Sequence, residues 1–98
     1  MKDVDPKLTE FLRQACDRTW SELKYKPQRF REMLAELGGV EASKRVLNSR
    51  EPSEGFNKVY SLGGKELTVE WIVQDPAWRS HFTQHELRTA ESRVGKRQ

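Results

Sequence analysis

The sequence has few of the residues on which several protein classes depend. One cysteine among 98 residues allows neither an internal disulfide nor a cysteine-based zinc site. No apolar run approaches the ~18 residues that a membrane-spanning helix needs, so we predict no membrane segment. No apolar stretch follows the first six residues, so we expect no secretory signal peptide and a cytoplasmic location.

Residues that favour β-strands are also scarce. Isoleucine occurs once, and β-branched residues seldom alternate with polar ones, whereas Leu, Glu, Lys, Arg and Gln are abundant. Hydrophobic residues make up 35% of the chain and charged residues 34%, which indicates a small core under a charged surface. We therefore predict one all-α domain over residues 1–98. It has five or six short helices, a long N-terminal helix packed across the others, and frayed ends at about 1–4 and 95–98.

The first helix is predicted from about residue 6 to about residue 24. Asp5 is a suitable N-cap, and Pro6 fits the first helical position, where a missing N–H costs nothing. Apolar and small residues recur three and four positions apart and form one stripe, in which we place Trp20 in the core. The stripe consists of Leu8, Phe11, Leu12, Ala15, Cys16, Thr19, Trp20 and Leu23.

Five further helices and one turn are predicted from local signals. The second helix is predicted from Pro27 to the glycines at 38–39, and a short third helix ends near Asn48. Ser53 caps a fourth helix, and residues 67–73 form a fifth, because no partner strand is available for a Val/Ile/Thr-rich strand there. A single turn containing Trp78 precedes the last helix, which ends near Gly95.

The start of the last helix carries the clearest local motif in the chain. Thr83 and Glu86 have the spacing of a capping box, in which each side chain accepts a hydrogen bond from the backbone of the other residue. Phe82 and Leu87 flank this box as a hydrophobic staple. The helix is therefore predicted to begin directly after Thr83.

Residues that could perform chemistry do not form a recognisable motif. His81 and His85 lie on either side of the capping box, so we assign them to different elements, and no zinc-protease motif surrounds them. Cys16 falls on the core stripe, where a thiol behaves as a small apolar group. The two Gly-Gly pairs lack the spacing of a phosphate-binding loop. We predict no catalytic activity, no metal and no cofactor.

The net charge of +3 resides in the middle of the chain. Between Lys24 and Lys58 there are eight basic and five acidic residues, and the remaining residues sum to zero. Clustered Lys and Arg are typical of nucleic-acid-binding surfaces, because each neutralised phosphate releases counterions. The alternative is a solvated helix surface of mixed charge. The candidate nucleic-acid-binding residues are Lys26, Arg29, Lys44, Arg45 and Arg50.

Aromatic residues support a second hypothesis, a protein–protein interface. Trp71 does not share the apolar face of its helix, and Trp78 stands beside a single turn. Both could hold the last helix against the bundle, or they could form an exposed aromatic patch of the kind that anchors protein interfaces. The candidate interface residues are Tyr60, Trp71 and Trp78.

Several short motifs between Arg29 and Leu87 carry a family resemblance. They are Arg29-Phe30 with Met33-Leu34, residues 37–42 (LGGVEA) with Lys44-Arg45 and Leu47, residues 52–56 (PSEGF), residues 67–70 (LTVE), Pro76 with Trp78, and Phe82-Thr83 with Glu86-Leu87. Their combination resembles a helical domain that recurs in bacterial proteins without an assigned activity. It occurs alone or appended to larger proteins, some of them related to restriction or defence. The resemblance implies a compact helical fold and an accessory role. Together with the charge pattern and the aromatic residues, we predict a non-enzymatic binding module whose partner is nucleic acid or a larger protein.

Overall fold

Six α-helices form the described part of the protein. The helices that begin with a side-chain cap begin at the capping residues that the sequence contains. The computed structural model describes residues 3–97. The helices are α1 (Pro6–Leu23), α2 (Gln28–Leu37), α3 (Gly39–Leu47), α4 (Glu54–Ser61), α5 (Val69–Ile72) and α6 (Gln84–Val94). Two 3-10 turns, Lys65–Leu67 and Arg79–His81, precede α5 and α6. No strand occurs between residues 3 and 97, so the all-α prediction is confirmed.

Side-chain caps fix the starts of α1, α4 and α6. The Asp5 carboxylate accepts hydrogen bonds from the backbone N–H groups of Lys7 and Leu8, at 3.1 and 3.4 Å. Ser53 Oγ accepts one from the N–H of Phe56 at 3.0 Å. The capping box of α6 is present in both directions. These three caps were predicted, and each supplies a partner for an N–H that the helix leaves unpaired.

The fifth helix, predicted over residues 67–73, is shorter in the structure, and Leu67 belongs to the preceding 3-10 turn. Thr68 separates the 3-10 turn Lys65–Leu67 from α5, and its Oγ1 accepts a hydrogen bond from the Trp71 N–H at 3.3 Å. The helical assignment of this segment is confirmed. The break arises because a threonine in extended conformation caps a new helix and cannot continue the preceding turn.

One hydrophobic core joins five of the six helices, and α4 contributes no residue to it. Helix α1 lies across α2, α3 and the first 3-10 turn, while α5 packs mainly on α6. The Cα radius of gyration is 12.1 Å, close to the roughly 12.5 Å expected for a folded chain of this length. The buried core residues are Leu8, Leu12, Ala15, Leu34, Val40, Ala42, Leu47, Val69, Ile72, Val73, Phe82, Leu87 and Ala90.

Helix α1 buries a narrower stripe than its apolar pattern predicts. Trp20 is 52% exposed and Phe11 47% exposed, so the placement of Trp20 in the core was wrong. At about 100° per residue, these two side chains lie on opposite edges of the face that carries Leu12 and Thr19. The neighbouring elements cover the centre of that face and leave its edges in solvent.

The turn between α2 and α3 is fastened to the start of α1. Gly38 has a φ of +81°, which disfavours any residue with a Cβ atom. The N–H of Gly39 donates to Thr9 Oγ1 at 2.8 Å, and that hydroxyl donates to an Asp3 carboxylate oxygen at 2.7 Å. A Cβ on Gly39 would stand 2.8 Å from the Thr9 backbone nitrogen. Both glycines are therefore needed for α3 to approach α1.

Both ends of the described chain make tertiary contacts. Asp3 accepts from Thr9, as described above, and the N–H of Arg97 donates to the side chain of Gln74 at 2.7 Å. Arg97 also forms an ion pair with Asp75 at 3.0 Å. Of the segments predicted to fray, residues 1, 2 and 98 lie outside the described residues.

Candidate functional site

Four of the five predicted nucleic-acid-binding residues lie near one end of the α2–α3 pair. Lys26 precedes α2, Arg29 is in its first turn, Arg45 is in the last turn of α3, and Arg50 follows α3. All four side chains are exposed. Helices α2 and α3 pack on each other and are joined through Gly38 alone, so the start of α2 and the end of α3 lie at one end of this hairpin. We call these four residues the basic end.

None of the four residues of the basic end forms an ion pair within residues 3–97. Two exposed acidic residues, Glu51 and Glu54, lie in the segment that continues from Arg50 into α4. The first turn of α2 has no side-chain cap, and the positive end of its helix dipole adds partial positive charge there. The basic end can thus offer four unpaired cations to an anionic ligand.

The fifth predicted residue, Lys44, has a different role. Its ammonium lies 2.9 Å from Oε1 of Glu86 and 5.4 Å from the centre of the Phe82 ring. The Glu86 side chain is only 6% exposed and also accepts from Asn48 Nδ2 at 2.7 Å and from the Thr83 N–H at 2.8 Å. Lys44 therefore neutralises a buried carboxylate within the protein, and its charge is directed inward.

The Glu86 network determines the charge state of that carboxylate. Burial by itself raises the pKa of Glu86, but the hydrogen bonds from Lys44, the Thr83 backbone and Asn48 together outweigh burial and hold the pKa below its usual range. The sequence revealed the capping box but not this network. The one sign of this network in the sequence is the charge of Lys44, which the charge pattern assigns to the surface.

The three predicted interface aromatics lie in different environments. Tyr60 is 47% exposed on α4, with its ring centre 5.6 Å from that of Phe56. Trp71 is half-buried, and Lys65 and Arg97 lie over its ring at 4.9 and 5.4 Å. Trp78 is half-buried against the core, with its ring 5.9 Å from that of Phe11. Both tryptophans thus contribute to packing within the domain.

A groove of about 450 Å³ opens between α1, α2, α4 and α5, and no pattern in the sequence predicts it. Lys26 and Arg29 of the basic end stand at its mouth with Glu54. Its apolar lining consists of Leu12, Ala15, Cys16, Phe30, Met33, Val46, Phe56, Val59, Leu67 and Val69. The groove exists because α4 packs mainly on the first 3-10 turn and contributes no residue to the core cluster, which no local pattern encodes.

A buried ion pair borders this groove. Arg93 Nη1 lies 3.3 Å from Oε2 of Glu70, and the same guanidinium donates to the backbone carbonyls of Val46 and Ser49 at 3.1 and 2.8 Å. Burial raises the pKa of Glu70, while hydrogen bonds from its own backbone N–H and from Arg93 oppose the rise. The pair ties the end of α3 to α5 and α6.

The histidines and the cysteine do not form a catalytic or metal-binding cluster in the described part of the chain. His81 Nε2 lies 2.9 Å from an Asp5 carboxylate oxygen, and this hydrogen bond lowers the pKa of Asp5. His85 is exposed in the first turn of α6. Cys16 is buried, and burial raises the pKa of its thiol, so it is a poor nucleophile. No group of three potential metal ligands occurs in the described part of the chain.

Comparison with models of known protein families, with curated proteins and with solved structures gave no match for this chain. None of the helices between residues 3 and 97 combines the length and the apolar character that a membrane span needs. The candidate functions below therefore rest on the residues and their arrangement.

Proposed function

We propose that this domain is a non-enzymatic binding module, and that it binds nucleic acid through the basic end. One observation carries the proposal. Four exposed cations, none of them ion-paired within residues 3–97, lie at the start of α2 and at the end of α3. Phosphate backbones select surfaces of this kind, because each contacted phosphate releases condensed counterions. Lys44 is not part of the proposed surface, since Glu86 neutralises it.

The test is a fluorescence-anisotropy titration with short single- and double-stranded DNA and RNA. If all four cations contact phosphates, affinity for a duplex should fall about a hundredfold between about 50 and 200 mM salt. Arg45→Glu should weaken binding at the lower salt concentration and flatten the salt dependence. Arg88→Glu is the matched control, because Arg88 is exposed on α6, has no ion-pair partner among the described residues and undergoes the same change of charge.

Two results would each overturn the proposal. One is no binding of any nucleic acid at the lower salt concentration. The other is an equal loss of affinity in Arg45→Glu and Arg88→Glu, because net charge and not the basic end would then determine binding.

A protein partner is the second candidate, and the exposed end of α4 favours it. Tyr60 and Leu62, two positions apart at the end of α4, are 47% and 41% exposed, and exposed apolar side chains of this size occur at protein interfaces. Binding through these residues would be lost in Tyr60→Ser and would persist at high salt, because screening does not weaken apolar contacts. The salt dependence therefore separates the two candidates.

A further inference from the structure

The groove between α1, α2, α4 and α5 has the size of a small-molecule site. Its volume of about 450 Å³ lies within the range of roughly 300–1,000 Å³ that ligand pockets occupy. Exposed residues from two separate segments form its mouth, Lys26 and Arg29 on one side and Ser53 and Glu54 on the other. The interior is therefore accessible from solvent.

The interior offers a ligand mainly apolar surface. Phe30 and Met33 of α2, Phe56 and Val59 of α4 and Leu12 of α1 all line the groove. The portion of a ligand that enters the groove must therefore be apolar.

The polar side chains of the interior have partners already. Thr19 Oγ1 donates to the Ala15 carbonyl at 2.7 Å, and Thr68 Oγ1 donates to the Lys65 carbonyl at 2.6 Å. The Glu70 carboxylate is held by Arg93. Cys16 is buried, and its thiol is a weak hydrogen-bond donor. Tyr25, which also lines the groove, belongs with Lys26 to the segment at its mouth. The interior thus offers few groups that could select a polar ligand group.

The mouth, by contrast, selects negative charge. Lys26 and Arg29 have no ion-pair partner among the described residues, and α2 starts beside them without a side-chain cap. Glu54 is the one carboxylate at the mouth, so positive charge prevails there. A head group with one negative charge is complementary to this arrangement.

We infer that this groove binds a free fatty acid, with its alkyl chain between Phe30, Met33 and Phe56 and its carboxylate at Lys26 and Arg29. The inference goes beyond nucleic-acid binding and shares only two residues with the basic end. A bound alkyl chain would fill the groove beside α4, which protein side chains leave open.

The test is a calorimetric titration with decanoate below its critical micelle concentration, beside decyltrimethylammonium as the probe of opposite charge. Decanoate should bind and the ammonium probe should not. Across shorter chains, each methylene removed should weaken binding about fourfold. Chemical-shift changes of an isotopically labelled sample should centre on the first turn of α2 and on α4.

Substitutions at the mouth should act in opposite directions. Lys26→Gln and Arg29→Gln should each weaken decanoate binding about fivefold, as for exposed ion pairs. Glu54→Gln removes the opposing charge and should strengthen it. Phe56→Ser should abolish binding, and circular dichroism shows whether that variant folds. If that variant does not fold, the effects of Lys26→Gln, Arg29→Gln and Glu54→Gln on decanoate affinity still test the inference.

Three results would overturn the inference: no binding of decanoate, equal binding of both probes, or shift changes centred on Phe11 and Trp20. Two variants distinguish failure of the fatty-acid inference from failure of the nucleic-acid proposal. Arg45→Glu should leave decanoate affinity unchanged, and Phe56→Ser should leave nucleic-acid affinity unchanged.

Discussion

The Lys44 ammonium of α3 lies 2.9 Å from the same Glu86 oxygen that accepts the Thr83 N–H and closes the capping box of α6. One carboxylate therefore caps a helix and joins two helices that are 42 residues apart in sequence. It is nearly inaccessible to solvent, whereas the lysine is 28% exposed. This arrangement assigns Lys44 a structural role.

Lys44→Gln should lower the free energy of unfolding by about 2 kcal/mol, because it leaves a buried carboxylate without its charged partner. Urea denaturation measures this change. Arg45→Gln is the control at the next position, and an exposed side chain there should change stability by less than about 0.5 kcal/mol. Equal stability of the two variants would mean that Lys44 is a surface residue after all.

Stability should depend on pH through Glu86. The unfolded chain takes up a proton at the ordinary pKa of glutamate, whereas the folded protein holds this pKa lower. The stabilisation is therefore present above the ordinary pKa and is lost as the pH falls through the folded value. Asp5 acts in the same direction because its pKa is also lowered.

Urea midpoints measured from neutral pH to about pH 3 test this linkage. Glu86→Gln should be less stable at neutral pH and should lose less stability on acidification than the parent protein. Glu36→Gln, which changes an exposed carboxylate of α2, should follow the parent curve. Parallel curves for Glu86→Gln and the parent protein would argue against the role of Glu86.

Gly39→Ala should destabilise the fold by about 2 kcal/mol, as overpacking of a close contact does. The added Cβ would stand 2.8 Å from the Thr9 backbone nitrogen, and backbone cannot move aside cheaply. Gly55→Ala is the matched control in α4, since its Cβ would meet only ordinary contacts at 3.5 Å or more. That substitution should be neutral or slightly stabilising. Thermal unfolding of both variants measures the difference, and a similar loss in each would contradict the close approach of α3 to α1.

Trp20 should account for most of the tryptophan fluorescence that iodide quenches. It is 52% exposed, while Trp71 and Trp78 are half-buried. Trp20→Phe should remove the readily quenched component and change stability by less than about 0.5 kcal/mol. Trp78→Phe should leave quenching nearly unchanged and cost stability. A large loss of stability in Trp20→Phe would place Trp20 in the core.

Local signals explain why most of the fold was predictable. Asp5, Ser53 and Thr83 each cap a helix, and the glycine at 38 ends α2, because these effects act within one turn of helix. The exposure of Trp20 was not predictable in this way. An apolar stripe shows which face of a helix turns inward, but the width of the buried face depends on which elements cover it.

The candidate site was predictable only in part, for the same reason. The exposure of Lys26, Arg29, Arg45 and Arg50 agrees with the sequence pattern, since each lies at or beyond a helix end. The partner of Lys44 belongs to a distant helix, so the charge pattern alone did not distinguish it from the other four. The groove depends on how far α4 stands from α2, which is a property of tertiary packing.

The most direct test of the central claim maps the nucleic-acid contact on the protein itself. An isotopically labelled sample is titrated with the oligonucleotide that binds best at about 50 mM salt, while backbone amide shifts are followed. The largest changes should fall at residues 26–30, 44–46 and 49–51, with little change around Arg88 on α6. Changes centred on α6 or on the exposed end of α4 would contradict the account, because the basic end would then not be the binding surface.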